Sequence, residues 1–193
     1  MEQQKRKKRA MAFGLVAIVL IFWNLMQNTA DQQKLRVACV GDELTFGTDV
    51  EDREDNCYPV QLQKYMEKAE KKYRIGNFGV EGAAVKKKSK KPYTKEERYE
   101  SSTEYKANLV VIMLGTNDTT EENWTDIDTF QKDYQSLIKN YQDLKSSPEV
   151  WLVTPPMIQS DGSTEMEERA KRVGHSESVF LFTSDSIWDH LEE

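Results

Sequence analysis

The sequence predicts an α/β fold built on a parallel sheet, because short apolar runs that stop at glycines alternate with stretches of helical apolar spacing. The first run, residues 35–40, is near-continuously apolar, as suits a strand covered on both faces, and it stops at Gly41. Tyr58, Leu62, Tyr65, Met66, Ala69 and Tyr73 then recur at helical spacing, with Pro59 suited to a first turn. Residues 74–78 form a second strand that runs into Gly79. Residues 108–114, rich in β-branched side chains and closed by Gly115, read as the sheet centre. Phe130, Tyr134, Leu137, Ile138, Tyr141 and Leu144 trace an amphipathic helix that ends at Ser146-Ser147-Pro148. A fourth strand over 150–154, a helix over 164–173 and a fifth strand over 179–182 complete the pattern.

Ahead of this domain, Lys5, Arg6, Lys7, Lys8 and Arg9 precede an apolar run over residues 11–26. A basic flank and a short apolar core fit a signal anchor or a cleaved signal peptide. The run is shorter than the ~20 apolar residues of a full span, which tilt and Trp23 at the interface would accommodate. The plausible cleavage context, Asn28-Thr29-Ala30, has Asn where a small residue belongs. The expectation is an uncleaved membrane anchor within residues 1–30, with a cytoplasmic N-terminus, followed by one extracytoplasmic domain over 31–193.

A net charge of -6, from 27 Lys and Arg against 33 Asp and Glu, excludes a general nucleic-acid binder, since no basic excess exists to displace counterions. Two loops carry charge of opposite sign. Asp49, Glu51, Asp52, Glu54 and Asp55 are acidic, and Lys86, Lys87, Lys88, Lys90 and Lys91 are basic. Both read as solvated, the lysines alternatively as facing anionic lipid head groups or an anionic wall polymer. Cys39 reads as a small buried hydrophobe rather than the partner of Cys57. His175 and His190 stand apart from both cysteines, so no metal and no cofactor are expected. Trp151, opening a strand, reads as core, and Trp124 as an exposed loop aromatic.

Chemistry-bearing residues gather just beyond strand ends, where open α/β sheets place their ligand crevice. Gly41-Asp42-Glu43-Leu44 follows the first strand, Gly79-Val80-Glu81-Gly82 the second, and Gly115-Thr116-Asn117-Asp118 the third. Together, in this order, they resemble the blocks of the SGNH (GDSL-type) hydrolases, and Val153-Thr154-Pro155-Pro156 resembles the strand end that comes next. The resemblance implies a flavodoxin-like three-layer α/β/α fold with about five parallel strands. It also implies acyl transfer, in which a serine attacks an ester and a histidine–aspartate pair activates it. Gly79 and Asn117 match the positions that donate to the oxyanion, and Asp42, Gly115, Thr116 and Asp118 flank the crevice as binding candidates.

Two departures stand out. Glu43 occupies the position of the nucleophilic serine, and a carboxylate there competes for the oxyanion donors and repels the charge that must accumulate. The family's late Asp-x-x-His block is not found, since His190 has Ile187 three residues before it. The resemblance therefore implies a C-terminally shortened domain, its open edge covered by a homo- or hetero-oligomeric partner. The expected function is a pseudoenzyme that binds an acylated glycan, a lipid or a protein partner. The alternative is an active esterase removing O-acyl groups from a surface carbohydrate or lipid. A third reading, a glycosidase pair formed by Asp42 and Glu43, is disfavoured, because adjacent side chains diverge and seldom flank one bond.

Overall fold

The computed structural model describes residues 34–156 together with Ser163, Glu165, Met166, Glu168, Arg169 and Arg172. The chain divides into two compact units, Met1–Leu35 and Arg36–Glu193, and the account below concerns the second. The apolar run of residues 11–26 and the fifth strand expected at 179–182 lie outside the described residues. Among the described residues no helix is long and apolar enough to cross a membrane.

Four strands are described: β1 (Leu35–Gly41), β2 (Tyr73–Gly79), β3 (Leu109–Met113) and β4 (Glu149–Leu152). They form one sheet in the order β2-β1-β3-β4, with the β1/β3 and β3/β4 pairs parallel. Crossing from β2 to β3 on either side of β1 makes the sheet doubly wound and puts its topological switch point between β1 and β3. That register pairs Gly41 with Met113, so the loops after both strands leave the sheet side by side.

Alternation along β1 shows the two covered faces. Ala38 and Val40 join the core cluster that holds Val110, Ile112, Phe130 and Tyr134, whereas Cys39 lies against Tyr58. Cys39 and Cys57 are buried free thiols, and burial pushes the Cys39 thiol up to about 11.

Among the described residues, five α-helices connect the strands. Beyond β1 come α1 (Glu43–Phe46), α2 (Arg53–Asn56) and α3 (Tyr58–Lys68). The sequence pattern ran to Tyr73, but Glu70 turns into the left-handed region at φ 54° and Lys71 N–H bonds back to Met66 O, closing the helix without a glycine. After β2, α4 (Glu97–Glu104) leads into β3. It has no apolar stripe, and it is fixed instead by the Ser102 hydroxyl against Tyr141 OH at 2.6 Å. Next, α5 (Ile127–Gln142) is capped by Asp126, whose carboxylate accepts from Thr129 N–H at 2.7 Å. It buries Phe130, Tyr134, Leu137 and Tyr141 as its spacing predicts. Glu165, Met166, Glu168, Arg169 and Arg172, within the helix expected over 164–173, are helical.

Trp151 departs from expectation. It is 45% exposed, because on β4 the residue facing the core is Val150, and the indole N–H donates to Glu149 Oε1.

Candidate active site

Local packing fixes the β1–α1 turn. Asp42 caps α1, its Oδ1 accepting from Leu44 N–H at 3.1 Å, and Gly47 ends the helix at φ 92°. A Cβ on Gly79 would meet Phe46 N at 2.1 Å and Phe46 Cα at 2.6 Å, so glycine is required where β2 ends against α1. This contact aims Glu43 across the switch point at the loop after β3.

That loop supplies Asn117, first residue of a 3-10 turn over Asn117–Thr119. Its Nδ2 donates to Glu43 Oε2 at 2.8 Å and to Ala83 O at 3.1 Å. Two acceptors on the same atom settle which end of the amide is the donor. Gly82 N–H donates to the same Glu43 oxygen at 3.0 Å. Gly79 N–H, the donor expected from the resemblance, instead bonds Asn77 Oδ1 at 2.9 Å. The structure thus gives Gly82, at φ 71°, the place that sequence reasoning gave Gly79. The signals for this were the asparagine two residues before Gly79, which can form an Asx turn, and the second glycine three residues after it.

Asp118 does not face the crevice. It is fully buried, and its carboxylate accepts Val85 N–H through Oδ2 and Lys86 N–H through Oδ1, each at 2.9 Å. It anchors the loop that carries Gly82 and Ala83. Lys86 corrects the reading of a solvated basic run, being 2% exposed with Nζ donating to Asn123 O and Thr125 Oγ1, each at 2.6 Å. Burial lowers its pKa, and the charges of Asp118, Asp126 and Asp133 oppose that. Lys87, Lys88 and Lys90 are exposed, as that reading has them, with Lys87 donating to Ser136 and Lys90 paired with Glu122, while half-buried Lys91 donates to Glu81 O. Trp124 packs on Phe130 and under the Arg172 guanidinium, 5.8 Å from its ring centre, and Arg172 also donates to Thr119 O at 2.7 Å.

Asp42 is fully buried, and its Oδ2 and the nearby Thr116 Oγ1 each lack a hydrogen bond of standard geometry. Burial, and then the charge of Glu43, push its carboxyl up to about 7. Burial pushes Asp118 up to about 6 against the pull of its N–H donors. Both values lie above the ~3.9 of an unfolded aspartate. Between about pH 4 and 7 the folded chain therefore holds protons that the unfolded chain has released, and stability falls as pH rises through that window. The slope is roughly 1.4 kcal/mol per pH unit for each group within its range. Urea midpoints from pH 4.5 to 7.5 check this. Asp42→Asn is expected to flatten the upper part of the curve, and an unchanged slope would show that Asp42 titrates normally.

A doubly wound α/β protein with hydrogen-bond donors converging beyond the ends of β1 and β3 has the framework of an acyl-transfer crevice. The chain belongs to the GDSL-like lipase/acylhydrolase family, whose model matches residues 39–178. An acetylxylan esterase from Xylanibacter ruminicola is 35% identical over 108 residues, covering 56% of this chain and 22% of that esterase. The chain thus spans about a fifth of that relative's length. A carbohydrate acetylesterase from Sinorhizobium meliloti superposes with a TM-score of 0.63 at 16% identity, covering 80% of this chain and 81% of that one. The aryl esterase of M. smegmatis has a TM-score of 0.63 at 18% identity, covering 79% and 80%. These structural likenesses speak to the fold.

Proposed function

We propose that this chain is a catalytically impaired member of its family, binding the kind of carbohydrate or lipid on which active members work, without turning it over. One observation carries the proposal: Glu43 Oε2 lies between Asn117 Nδ2 and Gly82 N–H, so a carboxylate already rests where an oxyanion would have to form. Losing one such donor typically reduces rate by about 10²–10³-fold, and here the nucleophile position itself holds the competing group. A carboxylate is also a far weaker nucleophile than a base-activated serine. The carbohydrate esterases among its relatives support a carbohydrate ligand. The basic flank and apolar run over residues 11–26 support a membrane anchor that holds the domain outside the cytoplasm.

The rival reading, an active acyl hydrolase, is favoured by the same relatives. Hydrolysis of p-nitrophenyl acetate by the full chain, beside Glu43→Gln and Glu43→Ser, separates the two. The proposal predicts parent and Glu43→Gln at the rate of buffer. Robust turnover by the parent overturns it, and loss of that turnover in Glu43→Gln would make Glu43 catalytic.

A further inference from the structure

A crevice that binds an ester must offer donors to its carbonyl oxygen. Here Asn117, Gly82 and Gly79 are already engaged. Asn117 Nδ2 serves Glu43 Oε2 and Ala83 O, Gly82 N–H serves Glu43 Oε2, and Gly79 N–H serves Asn77 Oδ1. An acyl carbonyl entering the site meets no free N–H from these groups, and its oxygen would face a carboxylate. Desolvating a carbonyl without a partner is unfavourable, and bringing it against a negative oxygen is more so.

What the site does offer is an acceptor. Both hydrogen bonds that the Glu43 carboxylate receives from described residues fall on Oε2, and Oε1 receives none from them. Glu43 is half-buried, not sealed within the core. A carboxylate held in place by charge-assisted bonds on one oxygen is pre-oriented to accept another on the second. Leu44, the next residue of α1, is 39% exposed and adds apolar surface. The arrangement matches the products of ester cleavage rather than the ester: the Glu43 carboxylate stands in for a released acid, and the vacant acceptor suits a released alcohol.

We propose that the crevice selects carbohydrate bearing a free hydroxyl, and discriminates against the same carbohydrate when that hydroxyl is acylated, with Glu43 Oε1 as the acceptor that reads the difference. This rests on the non-hydrolytic, carbohydrate-binding reading above, narrows its ligand to the deacylated form, and reverses the expectation of an acylated ligand drawn from the sequence. Glu43 is then a specificity-determining residue. Its Oε2 closes the oxyanion position, and its Oε1 reads the hydroxyl.

Isothermal titration of the full chain in detergent with xylotetraose and with O-acetylated xylotetraose tests the inference. Wild type is expected to bind xylotetraose, with acetylation weakening it by about tenfold or more, the cost of an unmatched polar group. In Glu43→Ala the freed Asn117 and Gly82 donors reverse the preference toward the acetylated sugar. Glu43→Gln, close in size, keeps the fold while putting a donor in place of one acceptor, and is expected to weaken xylotetraose binding. Equal or tighter binding of the acetylated sugar by wild type overturns the inference, as does saturation by neither sugar. Acetate release, followed in the same samples, separates the two levels of the account. Release by wild type means that the non-hydrolytic reading has failed, whereas a reversed preference without release means that only the selectivity has.

Discussion

Asp118→Ala is expected to lower stability by about 3–5 kcal/mol at pH 7.5, the range for removing one partner from a buried charged network. The loss has two sources. Val85 and Lys86 N–H are left buried without an acceptor, at about 1–3 kcal/mol each. The buried Lys86 ammonium loses an opposing charge that favours its charged form. Because Asp118 ties the loop bearing Gly82 and Ala83 to the turn bearing Asn117, the substitution also loosens the grip on Glu43. A urea midpoint gives the first effect, and faster hydrogen exchange at the Val85 and Lys86 amides gives the second. An exchange rate unchanged from wild type would show that the loop holds without its anchor.

Gly79→Ala acts at the other wall. The new Cβ would lie 2.1 Å from Phe46 N and 2.6 Å from Thr45 C, all backbone, so no side chain can turn aside to relieve it. Overpacking of this kind costs about 3 kcal/mol, toward the upper end of its usual range, or on the order of 10 °C in Tm for a domain of this size. The helix that must yield is α1, which carries Glu43. A melting curve matching wild type would mean that β2 and α1 sit farther apart than the structure has them.

These sites show what the sequence could and could not reveal. β1 and β3 were legible because a strand buried on both faces has to be apolar along its length and because the chain must turn sharply at Gly41 and Gly115. Helix α5 was legible through a core stripe that follows its period. By contrast, α4 packs through a hydroxyl on a hydroxyl, Ser102 on Tyr141, and the rings of Tyr99 and Tyr141 at 5.9 Å, which leaves no periodic signal. Lys86 looks like its neighbours in composition. Its burial is decided by acceptors that come from Asn123 and Thr125, distant in sequence.

The site was legible at the level of blocks and less so at the level of atoms. Glu43 and Asn117 were paired through the resemblance of their blocks to the family's, and the parallel β1/β3 neighbours are what bring those strand ends together. Which N–H completes the pair was not readable, since it depends on the Asn77 side chain capturing Gly79 and on a positive φ that turns Gly82 toward Glu43. Asp118 was read as a ligand contact, but three-dimensional closure of the 80–92 loop over it makes it an anchor.

The occupancy of the oxyanion position by Glu43 is most directly tested by titrating acetate into isotope-labelled wild type and Glu43→Ala while following the Gly82 backbone amide and the Asn117 side-chain amide. Wild type is expected to show no saturable shift at either group, and Glu43→Ala to show both, as free acetate takes the place of the missing carboxylate. Saturable acetate binding at Gly82 and Asn117 in wild type would contradict the account.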